Sequence, residues 1–232
     1  MGLTLYKPTK NNHGSLVSIN FSAKTDKIKD GKTEKGDKSV YFSFVLQSGW
    51  DEKSQTGSFK EGKKCNIKFS PTEVGGILYA LNNNSTLAHA LGVDLIYHDG
   101  EKTSTVIYFG PAYKKKKEGE KWVDTTEQRG FGIRAVKTNK ENKEEKEQFA
   151  IGFNFAECVL LKNFLKNALT HINDALYAED INRAKAFNES KAKKTNSLKN
   201  EYLPSEEESK QVGVEKEIKE ESKEEENLED LF

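Results

Sequence analysis

Cysteine is all but missing: Cys65 and Cys158 are the only two in 232 residues, and each falls on the apolar side of its local pattern. Two such thiols support neither a disulfide framework nor a zinc site, and a reducing, cytoplasmic compartment fits them. No apolar run approaches the roughly 20 residues of a membrane-spanning helix, and the N-terminus lacks a signal-peptide core. Met1-Gly2 opens like an acylation site, but Tyr6 stands where Ser or Thr is required. A membrane partner is therefore not expected. Histidine is sparse too, and His13, His89, His98 and His171 lie far apart, none at ligand spacing to another His, Cys or carboxylate. A phosphate-cradling glycine loop, a nucleophile elbow and a two-metal carboxylate cluster are all lacking. The expectation is a non-enzyme without catalytic residues, metal or cofactor.

Net charge is absent as well, but only by cancellation. The chain has 37 basic and 37 acidic residues, and residues 206–232 hold 12 of the carboxylates against four lysines. The first 205 residues therefore carry 33 basic and 25 acidic side chains. A basic body with an anionic arm fits a body that binds a polyanion and an arm that competes for it. Pro204, one of only four prolines, breaks the chain before the arm. These boundaries give a folded domain over 1–180, a basic linker over 181–204, and a disordered acidic tail over 205–232.

Between its lysine-rich loops the body is dense in Phe, Tyr, Ile, Val and Leu. Val17, Ile19 and Phe21 alternate with polar residues, as do Val40, Phe42, Phe44 and Leu46, the period of half-buried strands. Cys65, Ile67 and Phe69 alternate with Lys64, Asn66 and Lys68, giving a strand apolar on one face and polar on the other. It runs into Ser70-Pro71-Thr72-Glu73, which combines a capping box with proline in the first turn. Val74, Ile77, Leu78 and Leu81 then give a helix its apolar stripe, and Gly75-Gly76 points to close packing of that helix on the sheet.

The order then repeats. Leu95 and Tyr97, then Thr105, Ile107 and Phe109, then Phe131, Ile133 and Ala135, then Phe149, Ile151 and Phe153 read as strands. Asn154-Phe155-Ala156-Glu157 repeats the capping signature 84 residues after Ser70 to Glu73. A second helix from Phe155 to about Leu176 carries Leu161, Phe164, Leu165, Leu169 and Ile172, long enough to tie the halves together. The fold class is α+β, an internally duplicated antiparallel sheet followed by a helix, ββββα twice, with repeats over about 3–84 and 92–177.

Single-stranded nucleic acid requires cations along a groove and flat side chains exposed on a sheet. Lys64 and Lys68 lie on the polar face of their strand, Tyr41 has outward parity, and Tyr108 has the same parity in the second half. The loop Tyr113-Lys114-Lys115-Lys116-Lys117, followed by Trp122, reads either as a solvated hairpin tip or as a clamp over DNA. Trp50, Arg129 and Arg134 complete the set, with Phe131 assigned to the core and Gly130-Phe131-Gly132 to close backbone approach. The run Leu5-Tyr6-Lys7-Pro8-Thr9-Lys10 reads equally as an edge strand stopped by proline or as a basic aromatic arm that adds Lys7 and Lys10. At the other end, Leu228, Leu231 and Phe232 are apolar where they bury nothing in cis, while Glu229 and Asp230 suit a partner's lysines.

The strand–helix duplication resembles the Whirly and PUR-type single-stranded nucleic-acid-binding folds, a plan also known in phage replication proteins. The segments that carry it are Leu5-Tyr6-Lys7-Pro8 with Gly14-Ser15, Lys68-Phe69-Ser70-Pro71-Thr72-Glu73-Val74-Gly75-Gly76-Ile77, and Phe153-Asn154-Phe155-Ala156-Glu157. The tail is similar to that of bacterial and phage single-stranded DNA-binding proteins, although it lacks the proline that often precedes the terminal Phe. Those resemblances imply a protein that coats and protects single-stranded DNA in replication or recombination. The expected assembly is a homodimer or higher oligomer, and the tail's resemblance implies that it recruits polymerase, primase or helicase through Leu228, Glu229, Asp230, Leu231 and Phe232. An OB-fold with the same role, an RNA-binding regulator, and a nuclease with dispersed metal ligands are the other readings.

Overall fold

The computed structural model describes residues 2–29 and 32–201, so the acidic tail with Leu228, Glu229, Asp230, Leu231 and Phe232 lies outside the described residues. The first repeat contains β1 (Gly2–Lys7), β2 (Ser15–Ala23), a short hairpin of β3 (Lys27–Lys29) and β4 (Lys32–Glu34), and β5 (Lys38–Leu46). A second short hairpin of β6 (Gly49–Asp51) and β7 (Thr56–Ser58) precedes β8 (Lys64–Phe69). Strands β1, β2, β5 and β8 form an antiparallel meander in that spatial order. Helices α1 (Pro71–Asn83) and α2 (Leu87–Leu91) follow. The second repeat is β9 (Ile96–Asp99), β10 (Thr103–Glu118), β11 (Lys121–Asn139) and β12 (Lys146–Phe153), again an antiparallel meander, followed by α3 (Phe155–Glu201). The duplicated ββββα plan is thus the observed fold. Two separate four-stranded sheets replace the five-stranded barrel of an OB-fold.

The alternation in β8 works as the sequence requires. Cys65, Ile67 and Phe69 are buried while Lys64, Asn66 and Lys68 are exposed, because successive side chains leave opposite faces of a strand. The inner faces of both sheets and the apolar stripes of the helices form one core, with Phe42, Phe44, Phe69, Phe149 and Phe153 fully enclosed. Burying each such side chain contributes about 1.5–3 kcal/mol. Burial raises the pKa of the Cys65 and Cys158 thiols, which are free.

Each repeat ends in the same capping box. Ser70 Oγ accepts from Glu73 N at 3.3 Å and Glu73 Oε2 accepts from Ser70 N at 2.8 Å. Asn154 Oδ1 accepts from Glu157 N at 2.9 Å and Glu157 Oε2 accepts from Asn154 N at 2.8 Å. The two capping glutamates then pair across the repeats. Glu73 meets His98 of β9 at 2.6 Å, and Glu157 meets Lys7 of β1 at 2.5 Å. Since β1 and β9 are the first strands of their repeats, each helix start is latched to the opposite half. Helix α3 adds further ties to the first half: Phe21 stacks on His171 at 5.5 Å and meets Phe164 edge-on at 6.0 Å, and Lys38 binds Glu179 at 2.6 Å.

Several details depart from the sequence reading. The first strand of repeat two starts at Ile96, which is 5% exposed, whereas Leu95 is 43% exposed; Tyr97 therefore faces outward, where Leu95 with Tyr97 had marked the apolar face. Helix α3 runs past Leu176 to Glu201. The N-terminal run is edge strand β1, which ends at Lys7, just before Pro8. Gly76 serves helix–helix contact rather than the sheet, since a Cβ there would stand 2.7 Å from Leu87 Cδ1. Lys114 to Lys117 lie in strand β10 rather than in a loop, with Lys115 to Lys117 paired to β11.

Candidate nucleic-acid interface

In the second sheet every other residue points away from the core, and the register lines these outward residues up across the strands. One row is Tyr108, Arg134 and Ala150; the next is Gly110, Gly132 and Gly152. Three adjacent strands thus present bare backbone side by side, a floor about 10 Å across at the usual strand spacing. A groove of about 750 Å³ lies over it, with Arg129, Arg134, Tyr108 and Lys115 among its walls, and Thr86, Asp94 and Leu95 closing the edge beside β10.

The glycines of this floor differ in what they do for the fold. A Cβ at Gly110 would come within 3.0 Å of Thr86 Cγ2. At Gly132 and Gly152 the nearest atoms would be 3.7 and 3.9 Å away, ordinary contact distances, and neither residue has a positive φ. Packing does not require glycine at these two positions; an added side chain would rise into the groove. Gly130, by contrast, has φ +141° and a Cβ there would meet Phe153 O at 1.9 Å, so close approach explains that glycine.

The walls combine planar and cationic groups. The Arg134 guanidinium lies 4.4 Å from the centre of the Tyr108 ring, a cation–π contact that couples the two side chains. Gly130 pairs with Ala112 and Gln128 with Tyr113, so Arg129 is the extra residue of a bulge. Bulges re-aim side chains, and Arg129 lines the groove. The groove therefore offers a flat floor for a base, an aromatic ring to stack on, and three cations for phosphates.

Beyond the bulge β10 and β11 continue as a two-stranded arm turning at Gly119, φ +62°. The four lysines sit here, partly neutralised by their neighbours: Lys114 pairs with Glu127, Lys115 with Asp124 at 4.0 Å, and Lys116 with Glu118 at 2.7 Å. Lys117 has no ion pair among the described residues and stands opposite Trp122 in the register. Tyr113 is 37% exposed at the base of the arm.

The first sheet places its candidates differently. Asn20, Tyr41 and Lys68 form one outward row. Tyr41 Oη donates to Asp37 and Lys68 Nζ lies 2.9 Å from Asp37, so phenol and ammonium are already engaged. Burial pushes the Asp37 carboxyl up, but the bonds from Tyr41 and Lys68 outweigh it and hold it below the ordinary value. Burial, reinforced by Asp37, raises the Tyr41 phenol. Lys64 is exposed and Lys10 lies in the turn after β1, while Lys7 is taken up by Glu157. Trp50 is half-buried in β6, its indole N–H without a partner among the described residues.

Residues that the sequence reading missed include Gly110, Gly152 and Asp94 of the groove, and Gln47. The buried Gln47 amide accepts from Thr9 N at 2.8 Å and donates to Thr9 O and Gly49 O at 2.9 Å, pinning the turn after β1. The local signal for the glycine floor was present: Phe109-Gly110, Phe131-Gly132 and Gly152-Phe153 each join a glycine to a core phenylalanine of opposite parity. Among the described residues no three His, Cys, Asp or Glu side chains gather into a metal-binding group, and no helix is long and apolar enough to cross a membrane.

No family model matches the sequence, and no curated protein matches it. Solved structures do. WHY3 from Arabidopsis thaliana aligns with a TM-score of 0.52 at 16% identity over 81% of this chain and 96% of its own. WHY1 from the same plant aligns with a TM-score of 0.51 at 17% identity over 79% and 92%, and the plant transcriptional regulator PBF-2 with 0.51 at 14% over 78% and 86%. These neighbours are Whirly proteins, and at such low identity the likeness concerns the fold. Element order, paired sheets and structural neighbours agree that this chain has a Whirly-like fold.

Proposed function

We propose that this protein binds single-stranded DNA, coating and protecting it without strong sequence preference during replication or recombination, and that it does so without catalysis. The observation that carries the reading is the glycine-floored groove beside Tyr108, Arg134 and Arg129. Its flat base and cationic walls suit an unstacked nucleotide, whose bases are free to stack as those of a duplex are not. Arg129, Arg134 and Lys115 hold phosphates there, the arm with Tyr113, Lys114, Lys116, Lys117 and Trp122 lies along the strand, and Lys10, Trp50, Lys64, Lys68 and Tyr41 extend contact over the first repeat.

The chain acts as a homodimer or higher oligomer; Phe155, Val159 and Leu160 near the start of α3 are each more than half exposed, an apolar surface suited to self-association. The acidic tail shields the basic body and docks a replication protein such as polymerase, primase or helicase through Leu228, Glu229, Asp230, Leu231 and Phe232. A bacterial cytoplasm, with the gene carried by a phage, fits the two reduced, buried thiols.

One titration tests the reading. The full chain and a chain ending at Ser205 are compared on oligo-dT, on a duplex of equal length, and on an RNA oligomer, across a salt series. Tighter binding to oligo-dT than to duplex is expected, with a steep loss of affinity in salt and a further gain when the tail is removed, largest at low salt. Equal affinity for duplex would overturn the reading, tighter binding of RNA would turn it to an RNA-binding protein, and an unchanged affinity without the tail would remove the shielding role.

A further inference from the structure

We propose that the groove is one of two adjoining subsites, and that the bound strand continues over a second trough formed by Tyr97, Lys143 and Lys146. This rests on the single-strand-binding reading above. The trough, about 480 Å³, opens between β9, the starts of β10 and β12, and the loop that joins β11 to β12. Its floor is Ser104 with Thr138 and Lys146, a cross-strand row of the same outward face that carries the groove. Between the two floors lie the row of Tyr108, Arg134 and Ala150 and the row of Val106, Val136 and Gln148, so the floors are three rows, about 20 Å, apart along the strands.

The trough repeats the chemistry of the groove. Tyr97 is 52% exposed and stands opposite Val106, which makes it a diagonal neighbour of Tyr108, about 7–8 Å away. Two exposed rings on adjacent strands at that spacing are a platform for successive bases, the arrangement by which other single-strand-binding sheets hold two or three. Lys140 is held by Asp99 at 2.6 Å, but Lys143 and Lys146 have no ion pair among the described residues. The loop also carries carboxylates. Glu147 is paired with Lys63 at 2.9 Å, whereas Glu145, hydrogen-bonded to the neutral Asn139 amide at 3.0 Å, keeps its charge, so Glu141, Glu144 and Glu145 lower the local potential. Two ammonium groups without an ion pair among the described residues, beside an exposed phenol ring, fit a phosphate–base–phosphate segment of a single strand.

The experiment uses the full chain with two lengths of oligo-dT, about 3 nucleotides, too short to bridge floors about 20 Å apart, and about 16 to span both. Tyr97→Leu and the pair Lys143→Gln with Lys146→Gln are each expected to weaken the long oligomer roughly tenfold and to leave the short one unchanged. The lysine pair also lowers the salt slope on the long oligomer by about 1.4, two phosphate contacts. Tyr97→Trp retains affinity, and all variants keep the wild-type melting temperature because these side chains are exposed. Unchanged binding of the long oligomer, or equal weakening of both lengths, overturns the second subsite while the groove stands. Failure of the wild-type chain to bind either oligomer overturns both readings.

Discussion

In the first sheet the outward row next to core residue Phe69 is Asn20, Tyr41 and Lys68; in the second, the row next to Phe153 is Gly110, Gly132 and Gly152. The positions correspond strand for strand, yet one row is filled and closed by Asp37 while the other is bare and forms a groove. One step further along, Ser18, Ser43 and Asn66 in the first sheet stand where Tyr108, Arg134 and Ala150 stand in the second. Duplication preserved the inner faces, where packing constrains side chains, and let the outer faces diverge, where it does not. The difference teaches that the repeats are equivalent as scaffold and unequal as surface. Tyr41 and Tyr108, which share a parity, occupy different rows.

The comparison breaks most directly at Gly132. Gly132→Val adds a branched side chain where the nearest protein atom is at ordinary contact distance, so folding is unaffected or gains up to about 1 kcal/mol of strand preference. Affinity for single-stranded DNA is expected to fall about 100-fold through the loss of base stacking and phosphate contact in the filled groove. Normal affinity with a valine at this position would mean that the floor is not a contact surface. Calorimetric melting beside anisotropy titration separates the two effects.

A smaller effect sharpens the other side of the comparison. Asp37→Asn releases Lys68 from its ion pair and leaves the Tyr41 hydroxyl a neutral partner. If DNA passes over the first sheet, affinity rises roughly threefold and the salt slope steepens by about 0.7, one additional phosphate contact. No change in slope would confine the bound strand to the second sheet.

The smallest effect concerns the latches that join the repeats. Burial raises the Glu73 carboxyl, but His98 and the Ser70 bonds outweigh it and hold the folded value below the ordinary 4.5. A carboxylate depressed on folding stabilises above its unfolded pKa, and that contribution is lost as pH falls through the folded value. Glu73→Gln is therefore expected to lower the melting temperature at pH 7 by about 2–4 °C, with the difference shrinking as the pH drops below about 4.5. A constant difference across the range would assign the loss to capping rather than to charge.

Strand parity and both capping boxes were legible from local sequence, because alternation and the Ser/Asn-x-x-Glu spacing act over a few residues. Leu95 misled because Leu95, Ile96 and Tyr97 form an unbroken apolar run, and only contact with the core chose Ile96. The lysine block was read as the loop of a hairpin tip or clamp, but it lies in the strands of that hairpin, where carboxylates of the facing strand at Glu127 and Asp124 offset the consecutive charges. The pairing of Lys68 with Asp37 was hidden by a separation of 31 positions.

By itself the sequence determined the duplicated order of strands and helices, the composition of the core and the basic character of the body, since each follows from side-chain period and local capping. Only the tertiary structure decided which outward residues become neighbours. Gly110, Gly132 and Gly152 lie about 20 positions apart and become a surface through the register of three strands, which hydrogen bonding and the burial of the phenylalanines beside them set together.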